Sequence, residues 1–182
     1  FTSVMFDGSA GDSANNIAAT REIVKIAHAM GATVEGEIGH VGEAASGDNE
    51  TNDRYTTVKE ATDFVNATGV DALAVAIGTA HGAYKAKPRL DIERLKEIHA
   101  AIPTPLVLHG GSGLSDDDFR TTVREGISKV NIFTDLCIAG ANAMRDAANA
   151  GADYLKTREM RVKYINAAVK QKIELFGSVG KY

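Results

Sequence analysis

Short apolar runs alternate with longer amphipathic segments along the whole chain. The runs are nearly continuous, as in "VDALAVAIG" at 70–78, which is typical of strands buried on both faces. The segments between them carry apolar residues at helical spacing and end at glycines such as Gly31 and Gly69. We therefore predict strands at 2–6, 32–39, 70–78, 104–109 and 128–133, and helices at about 15–30, 58–68, 91–101, 116–125, 135–150 and 153–175.

A helix follows each of the predicted strands. This alternation predicts right-handed βαβ units and a parallel sheet in a single α/β domain over residues 1–182. Two architectures compete, an open doubly wound sheet and part of a (β/α)8 barrel. Both place ligands at the carboxyl ends of the strands, and an intact barrel typically needs about 250 residues.

Composition and charge exclude several classes of function. The net charge of −4 gives no reason to expect binding to nucleic acid or membranes. No run of about 18 apolar residues predicts a membrane span. Cys137 is the only cysteine, which favours a reducing, cytoplasmic location. The chain opens on Phe1 inside a predicted strand, so we expect residues upstream of it.

Polar residues collect where the predicted strands end, while the strand bodies are apolar. Parallel strands bring their carboxyl ends to one rim, so these residues predict a site there. They are Asp7 and Ser9 after the first strand, Glu35, Glu37 and His40 at the second, His81 and Gly82 at the third, His109 to Gly113 at the fourth, and Asn131, Thr134 and Asp135 at the fifth.

His81 and His109 end neighbouring strands and are candidate metal ligands. Imidazole suits zinc, and strands about 5 Å apart bring two such side chains to one ion. The alternative is that each histidine only hydrogen-bonds a loop carbonyl. His28 and His99 lie within predicted helices, so we interpret them as surface or packing residues.

Two glycine- or threonine-bearing loops have the form of an anion site. "HGGSG" at 109–113 and "NIFTD" at 131–135 each follow a strand and precede a helix, whose N-terminal N–H groups favour an anion. The alternative is that the glycines only make tight turns. The chain has neither GxGxxG nor GxxxxGK[ST], so dinucleotide and P-loop sites lack support.

Five blocks in this order resemble the zinc-dependent class II ketose-bisphosphate aldolases. They are "SVMFDGS", "GEIGHVG", "DALAVAIGTAHGAYK", "PLVLHGGSG" and "KVNIFTD", and they cover essentially the whole chain. The resemblance implies a (β/α)8 barrel of which residues 1–182 hold about strands 4–8. It also implies aldol cleavage of fructose- or tagatose-1,6-bisphosphate to glycerone phosphate and glyceraldehyde 3-phosphate.

The resemblance also implies roles for individual residues. His81 and His109 match zinc ligands, and Glu37 matches a glutamate at the metal site. Asn131 matches the residue that contacts the ketose or the enediolate, and Glu43 is the nearest match to a mobile acid–base glutamate. The phosphate-binding positions are matched by Gly82, Gly110, Gly111, Ser112, Phe133 and Thr134. Carbonyl groups at Gly82 and Lys85 match positions that bind Na⁺ or K⁺ in some members.

The family's H-x-D-H motif, which carries a third zinc histidine and a catalytic aspartate, has no match in these residues. The resemblance therefore implies an N-terminally truncated barrel with two open sheet edges that is nearly inactive alone. Relatives form dimers or tetramers, so we expect a homo-oligomer. A non-catalytic sugar-phosphate-binding or interaction module, and an isomerase or epimerase, are the alternatives. The stripe Val162, Ile165, Val169 and Ile173 predicts packing against the sheet or a partner subunit.

Overall fold

Parallel strands joined by helices build the protein. The computed structural model describes residues 1–39, 42–43, 55–82 and 88–181, with only the backbone of 42, 43 and 81. In chain order its strands are β1 (Ser3–Phe6), β2 (Thr33–Ile38), β3 (Gly42–Glu43), β4 (Ala72–Val75), β5 (Ala80–His81), β6 (Leu106–Leu108) and β7 (Ile127–Val130). Five of them form the main sheet in the order β1-β2-β4-β6-β7, and β3 pairs with β5 in a second parallel sheet.

Six helices accompany these strands. They are α1 (Ser13–Ala29), α2 (Val58–Thr68), α3 (Ile92–Ala101), α4 (Asp116–Arg124), α5 (Thr134–Asn149) and α6 (Tyr154–Leu175). Thr57 and Ser115 begin α2 and α4 with capping boxes, in which a hydroxyl and an acidic side chain satisfy the first N–H groups. Gly69 ends α2 in the left-handed conformation at φ 74°, as the sequence predicts.

The order of strands in the main sheet distinguishes between the two predicted architectures. A doubly wound sheet reverses its strand order at a switch point. Here each successive strand of the main sheet is added on the same side, which is the winding of a barrel. The prediction of a parallel α/β fold is confirmed, and β1 and β7 are the two edges of the main sheet.

Several details of the predicted strands are wrong. The strand predicted at 104–109 covers only Leu106–Leu108, and the one predicted at 128–133 covers Ile127–Val130. The apolar run at 70–78 gives a strand only over Ala72–Val75, because the Ala76 N–H is bonded to the Thr56 hydroxyl instead of a neighbouring strand. The pair β3–β5 was not predicted, since a strand of two residues is too short to show alternation.

The hydrophobic core lies between the main sheet and its helices. Leu73, Leu106 and Leu108 of the strands are fully buried, and Phe64 of α2 and Phe119 of α4 are 1% and 0% exposed. Burying each such side chain contributes roughly 1.5–3 kcal/mol. This core fixes the strands from one side and so positions the residues at their carboxyl ends.

Helix α6 packs mainly on α5 rather than on the sheet. Its apolar stripe divides accordingly: Ile165 approaches Gly140 of α5, whereas Val162 and Ile173 are 50% and 42% exposed. A Lys172–Asp135 ion pair at 2.9 Å joins the two helices. None of the helices in the described parts of the chain has the length and apolar character needed to cross a membrane.

Candidate active site

A cleft of about 680 Å³ lies at the carboxyl ends of the strands. It brings together residues in or just after β1, residues that follow β5, β6 and β7, and one glutamate of β2, so side chains far apart in sequence share one rim. The lining residues are Met5, Asp7, Glu37, Gly82, His109, Gly110, Gly111, Ser112, Asn131, Ile132, Phe133 and Thr134. The set includes most of the residues that the sequence nominated for the site.

A buried histidine between two carboxylates forms the centre of this site. Nδ1 of His109 lies 2.9 Å from Oε2 of Glu37, and Nε2 lies 2.9 Å from Oε1 of Glu35. The three residues are only 3–5% exposed. Burial alone lowers the pKa of His109, but hydrogen bonds to Glu35 and Glu37 raise it to about 9. The imidazolium therefore balances part of the negative charge of the carboxylate pair at neutral pH.

The two glutamates share a face because residues two apart on a strand point the same way. Glu35 lies one step deeper along β2 than Glu37, which lines the cleft. The end of β2 is held by the buried Asn16 of α1, whose amide donates to the Glu37 carbonyl at 2.9 Å. Asn16 had no assigned role from sequence, since its position within a helix gave no signal.

Lys129 and Asn131 extend this cluster from β7. The Lys129 ammonium donates to Oε2 of Glu35 at 2.8 Å and to Oδ1 of Asn131 at 2.7 Å. Nδ2 of Asn131 lies 2.8 Å from Nε2 of His109. Burial raises the pKa of Glu35, but the hydrogen bonds from His109 and Lys129 outweigh it and hold that pKa below its ordinary value.

The sequence marked Glu35 only as polar and gave Lys129 no role. Both precede a nominated residue by two positions, in "EGE" and "KVN", so strand alternation already placed each pair on one face. What the sequence could not provide was the contact between them, which joins residues 94 positions apart.

Beside the cluster, the two loops that the sequence nominated as an anion site lie together. The Ser112 hydroxyl accepts hydrogen bonds from the Phe133 and Asp135 N–H groups, both at 3.3 Å, and so joins the glycine loop to the start of α5. Gly110 has φ +67°, and a Cβ there would come within 2.5 Å of the Ala80 carbonyl oxygen. The close approach keeps this loop against β5, and the N-terminus of α5 opens toward the cleft.

Some of the nominated side chains lie outside the described part of the protein. The backbone of His81, the predicted zinc ligand, pairs with that of Glu43, the predicted acid–base residue, in the β3–β5 sheet. The two residues are therefore direct neighbours on adjacent strands. Their side chains, and all of His40 and Lys85, lie outside the described residues. His28 and His99 are exposed on α1 and α3, as predicted.

The donor chemistry at the cleft fits zinc. Imidazole nitrogen and carboxylate oxygen are common zinc ligands, and His109 and Glu37 present both at the cleft. A divalent cation there would take over the charge balance that the His109 proton provides between the two buried carboxylates. Within the described ranges, however, no group of three or more His, Cys, Asp or Glu is arranged to hold an ion. A third ligand would have to come from elsewhere, and His81 is the nominated residue.

The one-directional winding and the rim site define a protein of the α/β-barrel class. The sequence model of the family described as "Fructose-bisphosphate aldolase class-II" matches residues 1–181. The chain belongs to this family.

Similar proteins and solved structures extend beyond the chain. The protein YdjI of Escherichia coli K12 is 43% identical over 98% of the chain and 64% of its own length. The 6-phospho-5-dehydro-2-deoxy-D-gluconate aldolase of Shouchella clausii is 39% identical over 100% of the chain and 62% of its own. The crystal structure of the E. coli YdjI aldolase superposes with a TM-score of 0.86 at 41% identity, over 100% of this chain and 63% of that one. The chain thus spans less than two thirds of these relatives.

Proposed function

We propose that residues 1–182 form the zinc- and phosphate-binding part of a class II aldolase acting on a ketose 1,6-bisphosphate. The observation that carries this proposal is the buried Glu35–His109–Glu37 cluster beside the anion site in one cleft. Membership of the aldolase family supports the same assignment. The products would be glycerone phosphate and glyceraldehyde 3-phosphate, formed in the cytoplasm by a homo-oligomer.

His81, His109 and Glu37 are the residues that would hold the zinc ion. When bound, zinc supplies a Lewis acid that polarises the ketose carbonyl and stabilises the negative charge that develops next to it. Gly82 and Lys85 are the proposed carbonyl ligands of a monovalent cation.

The protein's own side chains would position the substrate. Cleavage breaks the C3–C4 bond, the C4 hydroxyl loses its proton as the aldehyde forms, and the electron pair stays on the ketone half as an enediolate. The Asn131 amide, which lines the cleft, would donate to an oxygen of that half. Glu43 is the proposed residue that transfers the proton. The anion site around Gly110, Gly111, Ser112, Phe133 and Thr134, with Gly82 across the cleft, would bind a substrate phosphate. That remote contact keeps the reacting carbons in place.

We expect the 182 residues to bind without efficient turnover. By the resemblance, a complete site also uses the histidine and aspartate of an H-x-D-H motif, and residues 1–182 contain no such motif. The same observation favours a second candidate function, a sugar-phosphate-binding module without catalysis. The two differ in whether zinc is required for binding of the phosphate ligand.

Zinc and ligand titrations followed by an activity assay test the proposal. Calorimetry would measure zinc binding, and then glycerone phosphate binding with and without zinc. Cleavage would be assayed with fructose 1,6-bisphosphate, tagatose 1,6-bisphosphate and 6-phospho-5-dehydro-2-deoxy-D-gluconate, before and after a chelator. The last compound is included because a relative is named for it.

His109→Ala and His99→Ala are the matched variants for these titrations. We expect His109→Ala to lose more zinc affinity than the roughly 10–100-fold typical of an outer-shell partner, and His99→Ala to lose none. Equal zinc binding by both variants would contradict the metal site. An affinity for glycerone phosphate that is the same with and without zinc would favour the non-catalytic module. Substantial chelator-sensitive cleavage would contradict the expected low turnover and establish a complete catalytic site.

A further inference from the structure

Lys129 joins two groups of the candidate site that lie on different strands. Its ammonium lies 2.8 Å from Oε2 of Glu35 on β2 and 2.7 Å from Oδ1 of Asn131, just after β7. Glu35 in turn contacts Nε2 of His109, and Nδ2 of Asn131 lies near the same nitrogen. The four side chains therefore form a closed ring of polar contacts, and two of them, His109 and Asn131, line the cleft.

The ring divides the two nitrogens of His109 between two environments. Nε2 faces Glu35, which lies one step deeper than the cleft, whereas Nδ1 faces Glu37, which lines it. A carboxylate that accepts one ring N–H fixes the orientation of a histidine and leaves its other nitrogen for a metal. Glu35 is thus placed to hold His109 with Nδ1 toward the cleft.

Lys129 also fixes which way the Asn131 amide points. An amide oxygen accepts from an ammonium group, whereas an amide NH₂ facing it would place two donors together. With Oδ1 held at 2.7 Å by Lys129, Nδ2 lies 2.8 Å from Nε2 of His109, whose own N–H is directed to Glu35. Without the ammonium, the amide would rotate and present its oxygen to that ring N–H instead.

We propose that Lys129 is a positioning residue that holds the His109 ring, through Glu35, and the Asn131 amide in the orientations required for metal and substrate. This inference rests on the proposed aldolase function. It gives Lys129 no contact with the reacting atoms. The orientations of His109, the proposed metal ligand, and of Asn131, the proposed substrate contact, then both depend on the ammonium group of Lys129.

An ordinary surface ion pair does not account for this arrangement. The side chain of Glu35 is 6% exposed although that of Lys129 is 52% exposed, and the ammonium serves a second acceptor. The Lys96–Glu93 pair of α3, at 2.7 Å, is an ordinary pair, with side chains 43% and 80% exposed. Exposed pairs of that kind contribute little, so Lys96 provides the matched control.

The test compares Lys129→Met, Lys129→Arg and Lys96→Met in the 182-residue chain. The first readout needs no metal: the side-chain amide signals of Asn131 in the NMR spectrum, assigned by comparison with Asn131→Asp. In Lys129→Met we expect these signals to shift toward the random-coil values of an asparagine that rotates freely about χ2, because no ammonium then holds Oδ1. Lys129→Arg, which retains a donor, and Lys96→Met should keep them.

The second readout is the zinc affinity of each variant by calorimetry. We expect Lys129→Met to lower it by about 10-fold, as is typical when an outer-shell partner is lost, and Lys96→Met to leave it unchanged. Thermal unfolding is measured alongside. An unfolded Lys129→Met chain would overturn the proposal, because Lys129 would then be needed for the sheet itself.

The two readouts separate this inference from the proposed function. If the wild-type chain binds no zinc, the proposed function fails, and the Asn131 signals still decide whether Lys129 positions the amide. If zinc binds but Lys129→Met keeps both the Asn131 signals and the zinc affinity, the positioning role is wrong while the metal site stands.

Discussion

Gly110 lies tight against the backbone of β5 at the cleft, so its replacement tests the proposed anion site. It has φ +67°, and a Cβ would lie 2.5 Å from the Ala80 carbonyl oxygen. We expect Gly110→Ala to lower the free energy of unfolding by about 3 kcal/mol, from the left-handed backbone and the steric overlap together. It should also weaken glycerone phosphate binding, because the loop must move away from β5.

Gly31→Ala is the control, since Gly31 has φ +73° with nothing within 4 Å of the added Cβ. Gly31→Ala should lower the free energy of unfolding by only about 1 kcal/mol, the penalty of a left-handed backbone conformation, and should leave ligand binding intact. Urea unfolding and calorimetry on both variants measure the difference. Equal losses of stability in Gly110→Ala and Gly31→Ala would show that the loop can move away from the Ala80 carbonyl at little energetic cost.

The sequence predicted individual site residues to the extent that a strand end marks them. His109, Ser112 and Asn131 stand where apolar runs stop, so their position at one rim could be predicted without knowing the fold. The pairing of His109 with two carboxylates could not, because neither glutamate is near it in sequence. Contacts between side chains on strands that are not neighbours depend on how the sheet curves.

At the scale of elements, Asp71 extends the pairing of β2 and β4 beyond the start of β4. Its N–H donates to the Val34 carbonyl at 2.8 Å, and its carboxylate accepts from the Val34 N–H at 2.7 Å and from His28 at 2.8 Å. Burial raises the pKa of Asp71, but the bonds from His28 and Val34 lower it below its ordinary value of about 3.9.

Asp71→Asn tests this contact through its pH dependence. A carboxyl group with a lowered folded-state pKa stabilises the protein above its unfolded pKa, and the contribution is lost as the pH falls through the folded value. We expect the variant to be less stable than wild type by about 1 kcal/mol at pH 7, and the gap to close below about pH 4.

Asp63→Asn is the matched change, in an aspartate that pairs with Lys59 on the exposed surface of α2. Chemical denaturation at several pH values would measure both variants. A stability difference between Asp71→Asn and wild type that persists unchanged at low pH would contradict the role of the Asp71 charge. An equally large, pH-dependent difference for Asp63→Asn would contradict it too.

Elements were predictable where a local signal exists and not where pairing alone creates them. The capping residues Thr57 and Ser115 mark helix starts in the sequence, and the structure has both. The strand end at Val75 depends on the Thr56 hydroxyl, which takes the next N–H out of the ladder. A hydrogen bond between positions 20 apart leaves no trace in a hydrophobic pattern.

At the scale of the whole molecule, one contact reports the curvature of the sheet. β2 and β7 are separated by β4 and β6, so a flat sheet would hold them about 14 Å apart at the usual strand spacing. Lys129 nevertheless reaches Glu35 at 2.8 Å. The sheet therefore curls around an interior that contains the candidate site, which agrees with the barrel winding of its strands.

The exposed edge at β1 leads to a prediction about association. One side of β1 pairs with β2, no other described strand pairs with it, and Val4 is 37% exposed. Unpaired backbone groups beside apolar side chains are a template for pairing with a second chain, and an edge lysine opposes this. We expect the 182-residue chain to associate with itself, and Val4→Lys to weaken that association by about 10-fold without unfolding the protein.

Ile26→Lys provides the comparison, because Ile26 is a β-branched residue 66% exposed on α1 rather than on a strand edge. Sedimentation velocity over a range of concentrations, with thermal unfolding as a check, measures both variants. If β1 is the contact, only Val4→Lys shifts the chain toward monomer. If both variants weaken association equally, general apolar exposure drives it. If neither weakens it while the wild type still assembles, the contact lies elsewhere. The surface of α5 and α6 would then be tested, because Met144 and Val162 are 51% and 50% exposed there.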